Sequence, residues 1–593
     1  MTTLFPPDKD IESFDEEQLP VPRHRRHRIG HFFGLYGAEH IAATEFIIGA
    51  TLVTLGAGFI DVVLGLLVGN ILAVLSFWLL TARIATDVRL SLYTYLTRIA
   101  GTTTSRLYNL VNVGFFGIIS AAMITVASTG VTLQFDVPVQ TNPYPTSLWF
   151  ILVVAIVSAV VVFVAIFGFE ALSEFANTCA PWLAVMFVCG AAVLIPPLVE
   201  NVTGQTTIGF GEFIDLARTD IFTGKTPDGD PGIGFWGVAG FAWAANSVAH
   251  FGLIDMALLR YAKKSWYGLG SASGLLIGHY VGWICAGVMG ASVAALTQTP
   301  LSEISPGMMT FEALEWTGLI IIIVAGWTTA NSNLYRAGLA AQAVFPQYSR
   351  GRVTAIVGIG IVVAACFPFF YRSILPLLTY AGLAVVPIGG IVFAEHYLFP
   401  RLGLTRYWMH FKGSRRNVPA LATWALSIAF AAVLNFSGII SYYYIFIPTW
   451  LLSVGVYILL ARSAGAAETY PDAEQREHDF KERVATYHEK LARTEGEVDG
   501  PLDRSALDHA IRAVWIVIGL VVPFVLAMFV LFGSPDIDAY DSNVALFYDV
   551  ALWCTLLYFV FSYWDLRRRK AQRESARQDA ADEDADEGAV ARA

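Results

Sequence analysis

The chain has 593 residues, of which 55% are hydrophobic and only 15% charged, and its mean hydropathy is +0.57. A soluble domain carries nearer a quarter charged residues, so one large soluble fold is excluded. The formal net charge of −10 says little about partners, because much of it sits in solvated tails.

Apolar runs of membrane-spanning length, on the order of 20 residues each, recur about fourteen times. They lie near 31–56, 60–82, 107–131, 148–168, 175–198, 234–257, 268–296, 316–345, 352–370, 373–398, 419–437, 442–461, 511–533 and 544–564, and are numbered helices 1 to 14 in that order. The chain is therefore an all-α polytopic membrane protein in a lipid bilayer. An outer-membrane barrel is excluded, since its strands alternate in polarity and stay near about ten residues.

In chain order, residues 1–29 form an N-terminal tail, acidic and proline-containing over 1–22, that is expected to be disordered. Its end, "RHRRHR" at 23–28, begins an alternation of basic loops with loops nearly free of Lys and Arg, Arg218, Lys225 and Arg372 being the exceptions. Arg83, Arg89, Arg98 and Arg106 follow helix 2, Arg260, Lys263 and Lys264 follow helix 6, and Arg350 and Arg352 follow helix 8. A cluster from Arg401 to Arg416 and the "RRRK" at 567–570 continue it. Basic loops mark the cytoplasmic side, so both termini are expected there in a cytoplasmic-membrane protein with an even helix number.

Helix 1, "IGHFFGLYGAEHIAATEFIIGATL", carries Gly34, Gly37 and Gly49 with Glu39, His40, Thr44 and Glu45 near mid-membrane. Helix 6, "GIGFWGVAGFAWAANSVAHFGLID", is interrupted by Gly237, Gly240 and Gly252 and carries Asn246, Ser247 and His250. Glycines loosen a helix, and polar side chains then satisfy the backbone groups that a break releases. Two such segments, each opening a block of about five helices, point to an inverted-repeat transporter with its site at mid-depth. Gly65 and Gly69 of helix 2 read as close-packing positions instead.

Helix 8, "IIIIVAGWTTANSNLYRAG" at 320–338, turns abruptly polar. The Thr328 and Thr329 hydroxyls suit a hard cation if unwound carbonyls around Gly37 and His40 supply the remaining oxygens. Asn331 and Asn333 can present donor and acceptor amides to a ligand. The five cysteines all lie in apolar spans without metal-ligand spacing. Beyond helix 12, residues 462–508 form a charged insert of partly helical pattern, 509–566 two added helices, and 567–593 an acidic tail.

These segments resemble the nucleobase:cation symporter-1 family, which contains cytosine, purine and allantoin permeases and a hydantoin transporter. The resemblance rests on helix 1, "GNILA" at 69–73, "GFFGI" at 114–118, "FGFEALSEFANTCAPWL" at 167–183, "LIDMALLRYAKK" ending helix 6, "GWTTANSNLY" in helix 8 and "PIGGIVFAEHYLFPR" at 387–401. It covers about residues 30 to 461 and implies a five-plus-five inverted-repeat (LeuT-like) transporter fold over 30–398, with broken helices 1 and 6 and with helices 11–12 over 399–461. It further implies sodium between Gly37, His40, Ala325, Thr328 and Thr329. A flat heterocycle would lie between Phe115 and Trp243, near Asn246, with Asn333 as the helix 8 amide.

This chain departs from the family where a glutamine becomes Ile119, another becomes Ile41, and Glu39 and His40 appear. Glu39 suggests a cationic or hydrogen-donating ligand, or a proton as the coupling ion in place of sodium. The expectation is a secondary active symporter for a small nitrogenous heterocycle, with no enzymatic activity and no nucleic-acid partner. Two alternatives stay open: a symporter for an amine- or amino-acid-like solute pairing with Glu39, and a membrane sensor signalling through 462–508.

Overall fold

In the computed structural model, residues 11–14, 16–140, 142–166, 169–207, 209–495 and 505–590 are described, and their regular structure is helical. Among them eleven helices are long and apolar enough to cross a membrane, and these cover helices 2–5, 7, 8 and 10–14. The remaining three regions are shorter. Helix 1 is split into Ile29–His40 and Glu45–Thr54, helix 6 into Phe235–Phe251 and Met256–Leu259, and helix 9 is Arg350–Ala365.

Several bounds move outward. Helix 3 starts at Leu92 and reaches Leu133, kinked at Gly101 where φ is +74°, a left-handed conformation that costs glycine little. Helix 8 runs Pro306–Val344 but is broken at Glu315, where φ is +46° and ψ −127°, so its longer part keeps the expected start near 316. The preceding part is capped by Ser305, whose hydroxyl accepts the Met308 amide at 3.2 Å.

The packing shows the repeat. Helix 1 lies against helices 5 and 7, and helix 6 against helices 10 and 2; helix 3 packs on helix 4 as helix 8 packs on helix 9. Helices 3 and 8 pair with each other, as do 4 and 9. Adding five to a helix number, or subtracting it, maps each of these contacts onto another, as a pseudo-twofold axis between two five-helix units requires.

Glycines set the two equivalent close approaches. A Cβ on Gly69 of helix 2 would sit 2.4 Å from the Ala239 carbonyl of helix 6, and one on Gly278 of helix 7 would sit 2.2 Å from the His40 carbonyl of helix 1. Both contacts are with backbone, which cannot swing aside. Gly278→Val is therefore expected to destabilise by about 1–3 kcal/mol. A thermal-unfolding comparison with Gly282→Ala checks it, because a Cβ there meets only ordinary 3.6 Å contacts.

The sixth helix breaks later than the sequence pattern implies. Gly237 and Gly240 lie inside regular helix, and the winding fails at Gly252–Asp255, with Leu253 left-handed at φ +63°. Gly240 makes room instead: a Cβ there would meet the Tyr444 ring at 2.7 Å.

The tail is also corrected. Residues 11–14 and 16–28 form short turns rather than a disordered strand, and Ile11 and Leu19 pack on Phe480 and Val484 of the helix Pro471–Glu495. Residues 1–10 lie outside the described residues. That 471–495 helix belongs to the charged insert, whose residues 496–504 are likewise not described.

Helices 13 and 14 pack on helix 5. Trp182 donates to the Thr555 hydroxyl at 3.1 Å, and Tyr558 donates to the Thr178 carbonyl at 2.5 Å.

Candidate functional site

The first segment of helix 1 ends at His40. The Ile41 amide still reaches the Gly37 carbonyl at 3.0 Å, but Ile41 has φ −99° and ψ 65°, and winding resumes only at Glu45. The break is pinned from helix 8, where the Thr329 hydroxyl donates to the Glu39 carbonyl at 2.7 Å. Thr328 turns back onto its own helix, donating to the Ala325 carbonyl at 3.1 Å.

Beside this junction lies a cavity of about 160 Å3. Helix 1 contributes Glu39, His40, Thr44 and Glu45; helix 3 Phe115, Ile119 and Met123; helix 6 Phe241, Ala244, Ala245, Val248 and His250; helix 8 Thr329, Asn333 and Arg336. His279 and Trp283 of helix 7 and Tyr442 and Tyr443 of helix 12 complete the wall with a leucine-rich stretch of helix 10.

Its charged groups form two sets, which approach each other at the His40 and His250 rings, 6.5 Å apart. Arg336, 1% exposed, grips Glu39 with both guanidinium arms, the longer contact being 3.1 Å, and reaches Asp255 at 2.5 Å. Asp255 also contacts His250. On the other wall Glu45 accepts from the Trp283 indole and lies 3.4 Å from His279, whose ring stacks on Trp283 and meets His40 at 4.7 Å. Buried ions persist only when paired in this way.

The expected site residues divide. Glu39, His40, Phe115, Ile119, Thr329 and Asn333 line the cavity, and Asn333 donates to the Thr329 carbonyl at 2.8 Å. Gly37, Ala325 and Thr328 stand behind the wall as the local carbonyl and hydroxyl pairs just described.

Three residues are placed elsewhere. Trp243 packs edge-on against Phe446 and Phe251 and donates to the Ser76 hydroxyl at 3.4 Å, so it faces helices 2 and 12. Its place is taken by Phe241 and Ala244, because the 17-residue straight segment of helix 6 rotates Trp243 outward. Asn246 ties helix 6 to helix 2 through the Asn70 carbonyl oxygen at 2.8 Å and contacts His279. Asn331 is buried behind the wall, its side-chain oxygen without a hydrogen-bond donor among the described residues.

Glu39 itself is no free carboxylate. Sequence reasoning missed Arg336, although an arginine inside an apolar span is a marker of function in its own right. His279 and Trp283, four apart on one face of helix 7, were missed too.

Fold and cavity together define the class: a multi-pass membrane protein with the LeuT-like inverted-repeat transporter fold. Two solved structures share it. The first is Mhp1, a nucleobase-cation-symport-1 family transporter, in a closed conformation with bromovinylhydantoin bound (TM-score 0.57, 15% identity, 79% of this chain and 99% of that one). The second is a substrate-bound outward-open Na+-coupled sialic acid symporter (TM-score 0.51, 14% identity, 74% and 90%). In sequence, the cytosine permease of Escherichia coli strain K12 is 29% identical over 142 residues, 23% of this chain. The chain spans 31% of the length of the curated relatives it matches. No family model matches it. Both comparisons support the resemblance to the nucleobase:cation symporter-1 family read from helices 1 to 10.

Proposed function

We propose that this chain is a cation-coupled symporter of the nucleobase:cation symporter-1 family that carries a small nitrogenous heterocycle by alternating access, with its basic face in the cytoplasm. The observation that carries the reading is the cavity beside the break in helix 1, walled by Phe115 and polar at Thr329 and Asn333. Drug-sized ligands fill cavities above about 300 Å3. A cavity near 160 Å3 suits a solute of one or two rings. Phe115 and Ile119 give it a flat apolar face, and Asn333 and His40 give hydrogen-bonding edges.

Sodium fits the residues present. Across the helix 1 break the Thr329 hydroxyl meets the Glu39 carbonyl, next to the expected His40. The Gly37 and Ala325 carbonyls and the Thr328 hydroxyl lie within about one turn of that contact along helices 1 and 8. These are neutral oxygens of the type that broken transporter helices offer a cation. A proton on Glu39 is the weaker reading, because its carboxylate is already paired with Arg336. The amine-like solute loses support for the same reason: the carboxylate it needs is paired.

Counterflow in liposomes tests this. Labelled nucleobases and hydantoins should exchange across the membrane, driven by a sodium gradient. Thr329→Ala should raise the half-saturating sodium concentration about tenfold, the value of one lost contact near 1.4 kcal/mol, and Thr328→Ala should do so less. Ligand binding without movement would favour the sensor. Unchanged sodium dependence in the double variant would place the ion elsewhere.

A further inference from the structure

A second cavity, of about 320 Å3, lies on the basic face, away from the site above. It is enclosed by the N-terminal segment, the connections after helices 2 and 10, and the 471–495 helix. Its wall holds Arg26, Arg98, Arg406 and Lys481 but one carboxylate, Asp87. A second carboxylate, Glu477, binds Arg98 at 2.7 Å and lies 3.6 Å from Lys481. Four cations thus face two carboxylates, and about two positive charges are left over.

Two of the arginines are held open. Arg26 makes no ion pair among the described residues; its guanidinium rests on the Val21 carbonyl at 3.2 and 3.3 Å. Arg406 has a buried Nε without an acceptor among the described residues, and its nearest acid, Asp87 at 3.6 Å, is shared with His396 at 3.0 Å.

Neighbouring groups register the same positive field. Burial, then His24, Arg26 and Arg25, push the His488 ring down to about 4, so it is neutral at physiological pH. Burial and then Arg23 lower Arg26 itself. The remaining wall combines apolar Val88, Leu90 and Val484 with Tyr95 and Tyr407.

We propose that this cavity binds a phosphate-bearing anion, with the charged head on Arg26 and Arg406 and any ring or chain against the apolar side. Guanidinium forks match phosphate oxygens in pairs, and a phosphate dianion cancels the excess charge. Such a ligand bridges the N-terminal segment, the 471–495 helix and the helix 10–11 connection, so its occupancy fastens the insert to the helical core. A soluble phosphate ester and a phospholipid headgroup share this chemistry. The proposal does not rest on the transport reading.

The test uses the full chain in detergent, exhaustively exchanged to strip lipid. Inorganic phosphate and adenosine monophosphate are titrated while thermal unfolding is followed, with chloride at matched ionic strength as the control. A saturable stabilisation is expected, with its midpoint at least about tenfold higher in Arg26→Gln/Arg406→Gln. Arg26→Gln alone, which breaks no ion pair, should move it the same way if the double variant is poorly folded. Native mass spectrometry before lipid removal supplies the other arm. A phospholipid retained by the wild type and lost from Arg26→Gln, without binding of the soluble probes, assigns the site to a headgroup. Absence of both, or binding indifferent to both variants, overturns the proposal.

Discussion

Arg336→Met is expected to abolish transport and to lower the unfolding temperature by more than any other single change at the site. Among the described residues, Arg336 is the only cation that touches both Glu39 and Asp255, with arms on each. Removing it leaves two carboxylates in a dry interior, and breaking a buried pair this way costs about 3–5 kcal/mol. Arg336→Lys keeps the charge but not the fork, so it should recover part of the stability and little of the uptake. Adding Glu39→Gln to Arg336→Met should restore stability beyond the sum of the single effects, since one stranded charge is gone. Uptake should remain lost, because the helix 1 break has no tie to helix 8 beyond the Thr329 hydrogen bond. Thermal unfolding and liposome uptake read the two effects separately. Wild-type uptake in Arg336→Met would show that the network is structural ballast.

The same network shows where sequence reading ends. The length and apolarity of the spans, the break after His40 and the polar turn of helix 8 are local properties, and a local pattern carries them. Arg336 and Glu39 are 297 residues apart, and Arg336 and Asp255 are 81 apart. Nothing in either segment announces the other; only the fold, which sets helix 8 beside the breaks in helices 1 and 6, brings them together. Asn331 and Asn333 illustrate the same limit within one turn. Their amides look equivalent in sequence, yet Asn333 lines the cavity and Asn331 lies behind it, since residues two apart face opposite sides of a helix.

Glycine misled in helix 6 because it has two uses. It can permit unwinding, as at Gly252, or admit a neighbour, and at Gly240 the Tyr444 ring takes the space. In helix 1 the break itself, residues 41–44, holds no glycine. The N-terminal segment failed for a different reason. Composition sets whether a chain can bury enough apolar surface to order itself, but residues 11–14 and 16–28 are ordered by partners elsewhere. Arg25 binds Glu495 at 2.6 Å, Lys490 binds Glu12 at 2.8 Å, and Val21 donates to the Arg89 carbonyl at 2.9 Å.

That segment also makes the second large prediction: Glu17→Gln should open the protein toward its basic face. Glu17 reaches over the end of helix 6, where its carboxylate pairs with the fully buried Arg260, accepts from Tyr335 at 3.4 Å and lies 3.9 Å from Arg350. Tyr335 precedes Arg336, so the contact sits directly behind the network that floors the cavity. Burial alone would raise the Glu17 carboxyl; Arg260 and Arg350 more than offset that and hold it below its ordinary value. A carboxylate lowered on folding contributes stability that is complete above its unfolded value and lost as pH falls through its folded one. The closure should therefore be intact at neutral pH and weaken only in acid below the ordinary carboxylate range, whereas Glu17→Gln removes it at every pH. The loss strands Arg260 without its partner in the closed state. A bias of about 1.4–2.8 kcal/mol toward opening corresponds to ten- to a hundredfold in population. Inside-out vesicles bearing Ala245→Cys, a cavity-wall position, report it through the rate of labelling by an impermeant maleimide, corrected for vesicles lacking that cysteine. The rate should rise tenfold or more in Glu17→Gln at pH 7, and the ratio of variant to wild-type rates, which cancels the falling thiolate fraction, should shrink on acidification. Equal rates at pH 7 would mean that the segment rests on the basic face without holding it shut.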